Sequence, residues 1–311
     1  MPSTPSPRSI PNIVDIHTIR SEAASEDAAP DLLIEVPHGA TATADFEALA
    51  AQLVSPLPGD LVDFFHVNTD VGAFELAIAT AQHLTTQRPY RTVVIVRCRI
   101  PRTFIDCNRR IGAKPEAFAE GRVTPGLMPW ITAPHDHHLL RQRYEAYIAT
   151  VRGTTARLRP GAGVLLLHTY APYSVAVEAV DANIAANMRR AYQPDTVETW
   201  PRRPELDVIS RDIEGRDHAP TAVVDALRTG VAPLGWTVGD SVTYPMHPST
   251  MAWDHVIARP GLTLCLEVRR DLLADPFDPF AEMHIGTDKL DRLAAPLAAA
   301  IADWGYSGGT S

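Results

Sequence analysis

The chain has 311 residues, of which 45% are hydrophobic and 21% are charged. This length and this composition are typical of a globular α/β protein with a sizeable core. The formal net charge of −9 argues against nucleic acid and anionic membrane as main partners, although a local cluster of arginines can still bind a small anionic substrate.

The three cysteines, Cys98, Cys107 and Cys265, lack the spacing of a disulfide framework or of a thiolate zinc site. They favour a reducing compartment, and we expect a cytoplasmic protein. Residues 1–30 begin with a Pro- and Ser-rich stretch and lack the apolar segment of a signal peptide, so we expect a partly flexible N-terminal tail. No apolar run is long enough for a membrane span.

Strand-like and helical patterns alternate along the rest of the chain. Apolar runs predict strands at 32–36, 92–98, 163–168 and 263–268, and amphipathic patterns predict helices at 45–53, 71–84, 138–158 and about 286–303. Continuous apolar strands separated by helices are typical of a sheet that is covered on both faces. We therefore predict a single three-layer α/β/α domain over residues 31–305, with a mostly parallel, mixed central sheet.

Unusual polar residues stand at the ends of these strands. His38 follows the first strand, His168 closes the third, and Glu267 lies within the fourth. In open α/β sheets, ligands bind beyond the carboxyl ends of the strands, and two histidines with carboxylates suit a zinc site. The alternatives are a turn or cap role for each histidine and a salt bridge for Glu267.

Five segments in this order resemble the N-formylglutamate amidohydrolase family: "VPHGAT", "VNTD", "RTFIDCNRR", "LLLHTY" and "LCLEVRRDL". The resemblance covers roughly residues 31–175 and 260–273, whereas about 176–255 does not match. It implies a zinc carboxypeptidase-like fold and hydrolysis of an N-acyl amino acid by metal-activated water. Such enzymes bind a small anionic substrate, and neither nucleic acid nor membrane is an expected partner.

The resemblance also implies roles for individual residues. His38, Asp70 and His168 correspond to the ligands of Zn²⁺ or another divalent metal, and Glu267 corresponds to the general base. Arg109 is predicted to bind the substrate carboxylate and, with Glu267, to be a catalytic residue. Two further residues are assigned to substrate binding, Asn108 beside it and Asp106 as the group that orients Arg109 or another basic residue.

The third metal ligand is the assignment with the most alternatives. Carboxypeptidase-like sites have a glutamate three residues after the first histidine, and this chain has Thr41 there. Asp70 is therefore preferred, with a helix N-cap as its alternative role and Glu75 as the alternative ligand. Leu166 and Leu167 precede His168, whereas the family usually has Asp-Ala before this histidine, so a carboxylate that orients the imidazole must come from elsewhere or be absent.

We expect a zinc-dependent amidohydrolase that converts N-formyl-L-glutamate to glutamate and formate. The alternatives are a metallohydrolase for another N-acyl amino acid or a peptide, and a non-catalytic binding protein on the same fold. Two features are placed outside the site. The segment "PHDHH" at 134–138 favours an exposed helix cap at Asp136 over a metal cluster, and Arg202 and Arg203 are predicted to lie at the surface.

Overall fold

The computed structural model describes residues 7–112, 125–177 and 179–306. Within them, one sheet has seven strands in the order β1-β3-β2-β4-β7-β5-β6. The strands are β1 (Val14–Arg20), β2 (Leu32–Val36), β3 (Thr92–Cys98), β4 (Gly163–Tyr170), β5 (Leu206–Val208), β6 (Val238–Asp240) and β7 (Thr263–Arg269).

The centre of the sheet is parallel. Strand β2 pairs in parallel with β3 and β4, and β4 pairs in parallel with β7. Antiparallel pairs join β1 to β3 and β5 to β7, and β6 runs parallel to β5. The four predicted strands form this parallel centre, and the prediction of a mostly parallel, mixed sheet is confirmed.

Helices lie on both faces of the sheet. In the described residues they are α1 (Thr43–Ala50), α2 (Leu61–Asn68), α3 (Ala73–Gln87), α4 (Pro134–Thr155), α5 (Ile184–Ala191), α6 (Pro194–Val197), α7 (Thr221–Val231), α8 (Met251–Ala258) and α9 (Thr287–Ala300), with 3-10 turns at Ala232–Leu234 and Arg270–Leu272. In this part of the chain, no helix has the length and apolar character needed to cross a membrane.

Two hydrophobic cores separate the three layers. On one face, Ile34 and Leu165 of the sheet belong to the same buried cluster as residues of α3, α7 and α9. On the other face, Leu33 and Leu166 belong to a cluster with residues of α1, α2, α4, α5 and α8. Successive strand residues point to opposite faces, so each apolar strand supplies both cores. The predicted three-layer α/β/α architecture is confirmed.

The strands β1, β5 and β6, at the edges of the sheet, were not predicted from the sequence. Strand β1 lies within the predicted N-terminal tail and pairs along its whole length with β3, so the sheet begins well before residue 31. In its segment "VDIHTIR", polar residues interrupt the apolar ones, and most positions are only partly buried, as expected for an edge strand. Strands β5 and β6 have three residues each, too few to form a recognisable pattern.

Candidate metal centre

His38 lies where strand β2 ends. Pro37 ends the strand because proline has no N–H to donate to the sheet, and the chain then turns across the top of β3. A Cβ atom on Gly39 would lie 2.6 Å from Cγ of Arg97, so only glycine allows this close approach. The Arg97 Nε atom donates to the Gly39 carbonyl at 2.7 Å, which fixes the turn that carries the imidazole.

Asp70 lies in the short link between α2 and α3. Its N–H donates to the His38 carbonyl at 3.3 Å, so the two segments are joined through their backbones. Gly72, with φ of +85°, is the N-cap residue of α3, and no side chain caps this helix. Asp70 is therefore not the helix cap that its sequence context allowed, and its carboxylate is directed at the two histidines.

His168 and Glu267 come from the adjacent parallel strands β4 and β7, where they are direct neighbours in the register. Both side chains project from the face that carries the second core, since Leu166 and Cys265 two residues earlier point the same way. The Thr169 hydroxyl donates to the Val71 carbonyl at 2.8 Å. This bond holds the end of β4 against the segment that contains Asp70.

The three predicted metal ligands converge on one point. Asp70 Oδ2 lies 3.1 Å from His38 Nδ1 and 2.9 Å from His168 Nδ1, and the two imidazole rings are 5.0 Å apart between centroids. One donor atom from each residue lies within 4.8 Å of the others, and all three residues are buried. This group could therefore hold a metal ion.

The chemistry of the donors fits a divalent cation. Zinc binds imidazole nitrogen and carboxylate oxygen at roughly 2.0–2.2 Å, so donors that share one ion lie about 3–3.5 Å apart. Burial alone would raise the pKa of Asp70, but His38 and His168 outweigh burial and hold this pKa well below its usual range. The lowered pKa keeps the Asp70 carboxyl group anionic at neutral pH, as a metal ligand requires.

A second carboxylate lies behind His38. Asp106 Oδ1 is 2.8 Å from His38 Nε2, and Asp106 Oδ2 accepts from Arg102 at 2.9 Å. Burial would raise the pKa of Asp106, but Arg102 and His38 hold it well below its usual range. The two ring nitrogens of His38 thus face two carboxylates, and Arg102 Nη1 lies 3.4 Å from Nδ1 as well.

This contact adds to the predicted role of Asp106. Asp106 was assigned to substrate binding as the residue that orients Arg109 or another basic residue, and Arg102 is a basic residue of this kind. Asp106 is fully buried and does not line the cavity described below. It orients His38 and pairs with Arg102, the kind of contact that fixes the tautomer and direction of a metal-binding imidazole.

In the described part of the chain, His168 has no such partner at Nε2. Its Nε2 atom is buried and makes no hydrogen bond with any residue that the structure describes. Leu166 and Leu167, which precede it, are apolar and fully buried. The structure therefore provides an orienting carboxylate for the first histidine and, among the described residues, none for the second.

Glu267 has the properties of a proton carrier. Its Oε2 atom is buried and has no hydrogen-bond partner among the described residues, while the side chain as a whole faces the cavity. Burial raises the pKa of Glu267 to about 7; His168 lowers it and Asp70 raises it. A carboxyl group with a pKa near neutrality can both accept and release a proton at physiological pH.

Arg109 and Asn108 line the same cavity. Burial lowers the pKa of Arg109, although a guanidinium stays charged in proteins. No carboxylate within the described residues forms a salt bridge with Arg109, whose Nη1 donates only to the Asn108 carbonyl at 3.1 Å. The Asn108 Oδ1 atom accepts from the Ala252 N–H at 3.2 Å, which fixes this segment against the start of α8.

Arg203 was predicted to lie at the surface, and the structure places it in the cavity wall. Its guanidinium lies over the rings of Tyr170 and Tyr244, at 5.0 and 5.5 Å from their centroids. It donates to the Tyr244 hydroxyl at 2.9 Å and to Ser174 Oγ at 3.1 Å. The run "PRRP" gave no periodicity from which this placement could be predicted, because it depends on how a non-helical segment crosses the sheet.

Most of these side chains, although not Asp106, line one cavity of about 650 Å³. The candidate ligands His38, Asp70 and His168 lie in its wall together with Glu267. Among the described residues, four arginines also line it, namely Arg102, Arg109, Arg203 and Arg270. These cations outnumber the lining carboxylates Asp70 and Glu267, although the whole chain has a net charge of −9.

Comparisons with known proteins agree with this fold. No family model matches the chain, and no curated protein matches it. Among solved structures, it is similar to N-formylglutamate amidohydrolase from Ralstonia eutropha JMP134, with a TM-score of 0.56 and 16% identity over 93% of this chain and 97% of that chain. A gene product from Agrobacterium tumefaciens has a TM-score of 0.46 and 17% identity over 94% of this chain and 93% of that chain. A TM-score this low does not establish a common fold. The first likeness is to a member of the family that the motifs resemble, and at this identity it shows that the two proteins share a fold.

Proposed function

We propose that this protein is a metal-dependent amidohydrolase that cleaves the amide bond of an N-acyl amino acid. The observation that carries the proposal is the convergence of His38 Nδ1, His168 Nδ1 and the Asp70 carboxylate beside Glu267. Zinc is the metal that two imidazoles and one carboxylate favour. N-formyl-L-glutamate, the substrate of the family that the motifs resemble, is the reference substrate.

Arg109 binds the carboxylate of the amino acid in this proposal. It is buried, it lines the cavity, and no carboxylate of the described residues forms a salt bridge with it. A planar guanidinium can form two parallel hydrogen bonds with one carboxylate. The amide of a substrate anchored in this way extends from Arg109 toward the three candidate ligands.

Glu267 carries the proton during the reaction. A divalent cation held by the three ligands supplies Lewis-acid polarisation of the acyl carbonyl and of a water molecule. Ionised Glu267 accepts a proton from the attacking water and then gives that proton to the leaving amine nitrogen. Arg102 and the other cationic side chains of the cavity favour the negative charge that develops on the carbonyl oxygen.

One observation favours a second candidate, a binding protein that retains the cavity without turnover. His168 Nε2 has no hydrogen-bond partner in the described part of the chain, and partners of this kind commonly contribute about 10–100-fold to metal affinity or activity. A weakly held metal would leave a protein that binds an anionic amide without cleaving it.

Metal removal and reloading test the proposal. The protein is treated with a chelator, dialysed and assayed for release of free amino acid from N-formyl-L-glutamate, before and after addition of one equivalent of Zn²⁺. We expect turnover only after reloading, and we expect none from a reloaded Glu267→Gln variant. Equal turnover by the reloaded variant, or no turnover of any N-acyl amino acid or peptide by the reloaded wild type, would contradict the proposal.

A further inference from the structure

The cavity wall contains two chemically different sets of side chains. One set consists of the candidate metal ligands, Glu267 and the arginines. The other set consists of apolar side chains from α2, α5 and the residue that follows α5, which none of the roles assigned above uses. Polar groups that fix orientation and an apolar surface that supplies affinity are the usual division of work in a small-molecule site.

Helix α5 presents an apolar stripe to the cavity. Ile184 and Met188 are one turn apart, Tyr192 follows one turn later, and all three line the cavity. On the opposite face, Arg189 and Arg190 are exposed, and Arg189 donates to Asp60 at 2.8 Å. Residues four apart share one face of a helix, so the apolar stripe is a property of the helix and not of a single side chain.

Helix α2 presents a matching stripe. Phe64 and Val67 are three residues apart and line the cavity, and Asn68 lines it beside them. This helix leads directly into Asp70, so its apolar face adjoins the candidate metal centre. The Arg270 Nη1 atom donates to the Val67 carbonyl at 2.7 Å and fixes the end of the helix near the ligands.

The α5 wall belongs to the part of the chain, about 176–255, that the family motifs do not cover. The cavity of about 650 Å³ lies within the range of roughly 300–1,000 Å³ that accommodates drug-sized ligands. A formyl group adds only one carbon to an amino acid. Met188 and Tyr192 are partly exposed in the cavity, so a ligand with a longer apolar group has side chains to pack against.

We infer that the ligand is an N-acyl amino acid that carries an apolar group of several carbon atoms, bound against Met188 of α5 and Tyr192, which follows this helix. The inference rests on the proposed function for the amide and carboxylate of the ligand. The apolar group can belong to the acyl chain or to the side chain of the amino acid, because both extend from the amide that the candidate metal centre would cleave.

Two substrate series distinguish these sources. In the first, the acyl group on glutamate is lengthened from formyl to hexanoyl. In the second, formyl is kept and the amino acid is varied from glycine to norleucine. We expect kcat/KM to rise in one series by about fourfold for each added methylene. The series that rises identifies the source, and a flat or falling dependence in both would overturn the inference.

A substitution that places a charge in the apolar wall tests the inference, and an apolar substitution at the same position is its control. Met188→Asp should lower the ratio of kcat/KM for the long and short substrates by tenfold or more, while Met188→Leu should keep the ratio. Arg190→Ala, on the exposed face of the same helix, is the control for unspecific effects. An unchanged ratio in a folded Met188→Asp protein, as judged by circular dichroism and thermal unfolding, would contradict the inference.

Equilibrium binding separates this inference from the hydrolase proposal. The Glu267→Gln variant is titrated calorimetrically with uncleaved members of both series, with zinc present. A Kd that tightens with chain length supports the apolar site even if the wild type hydrolyses nothing, in which case only the hydrolase proposal fails. A Kd that does not change with length overturns the apolar site even if N-formyl-L-glutamate is hydrolysed.

Discussion

His168 and Glu267 are direct neighbours on the parallel strands β4 and β7. One belongs to the candidate metal centre, and the other is the candidate base. Their relative position is set by the hydrogen bonds of the sheet, which are among the most rigid contacts in a fold. A base and a metal ligand that are fixed in this way need no conformational change to act together.

The first prediction concerns the role of Glu267 in catalysis. Glu267→Gln removes the proton acceptor but keeps the shape of the side chain, so kcat should fall by about 10²–10⁴-fold. The zinc content, measured by mass spectrometry of the metal, should stay at that of the wild type because Glu267 is not a ligand in this account. Loss of the metal together with the activity would instead identify Glu267 as a ligand.

The second prediction concerns the third metal ligand. Asp70→Asn should abolish tight zinc binding, because it removes the anionic donor that contacts both imidazoles. The matched control is Glu75→Gln, which changes the alternative carboxylate on α3. Zinc affinity, measured by competition with a chromophoric chelator, should be unchanged in the control. Loss of zinc binding in Glu75→Gln alone would reverse the assignment.

The third prediction concerns the carboxylate behind His38. Asp106→Asn should weaken zinc binding by about 10–100-fold, since it replaces the anionic acceptor that orients the His38 ring with a neutral amide. It should also lower the free energy of unfolding, because Arg102 would lose the closer of its two carboxylate partners in a largely buried position. Chelator competition and urea denaturation measure the two effects. Unchanged zinc affinity would show that the contact is structural only.

The fourth prediction concerns the substrate carboxylate. Arg109→Ala should raise KM for a carboxylate-bearing substrate by about 10–100-fold, the loss expected for a hydrogen bond to a charged group. Arg109→Lys should not restore KM, because an ammonium cannot bond bidentately. Arg110→Ala is the control, since Arg110 is exposed and pairs with Asp254. An equal rise in KM for Arg109→Ala and Arg110→Ala would refute a specific anchor.

The fifth prediction concerns pH and the metal-free protein. The pKa of Glu267 is raised from 4.5 to about 7, so the folded protein holds a proton that the unfolded chain has already lost. The resulting contribution to stability is complete below pH 4.5 and is lost as the pH rises to about 7. In the presence of a chelator, the free energy of unfolding of the wild type should therefore fall, relative to that of Glu267→Gln, when the pH is raised from 5 to 8. A difference that is independent of pH, measured by urea denaturation, would contradict this pKa.

The central part of the fold was predictable because its strands are buried on both faces. Runs such as "TVVIVRC", which forms β3 (Thr92–Cys98), have few alternatives to a core strand. Edge strands such as β1 are half-exposed, and their patterns are weak. Asp136 was predicted as an exposed cap, but it is fully buried and accepts from the Ser55 N–H at 2.7 Å. This bond joins segments that are 81 residues apart, and local sequence cannot predict it.

The motifs indicated which residues belong to the candidate site better than they indicated the contacts and role of each residue. His38, Asp70 and His168 converge as the motifs implied, because each follows a predicted strand or lies next to a predicted helix. The contact of Asp106 with His38 depends on a turn of irregular backbone, and so does the placement of Arg203. Motifs indicate which residues matter, whereas the partner of each side chain is a property of the tertiary structure.

The most direct test of the metal centre is a crystal structure of the zinc-loaded protein with anomalous data collected at the zinc absorption edge. We predict one anomalous peak per chain, bound by His38 Nδ1, His168 Nδ1 and the Asp70 carboxylate. A peak at other residues, or no peak between the two imidazoles in a crystal that was grown with excess zinc, would contradict the account.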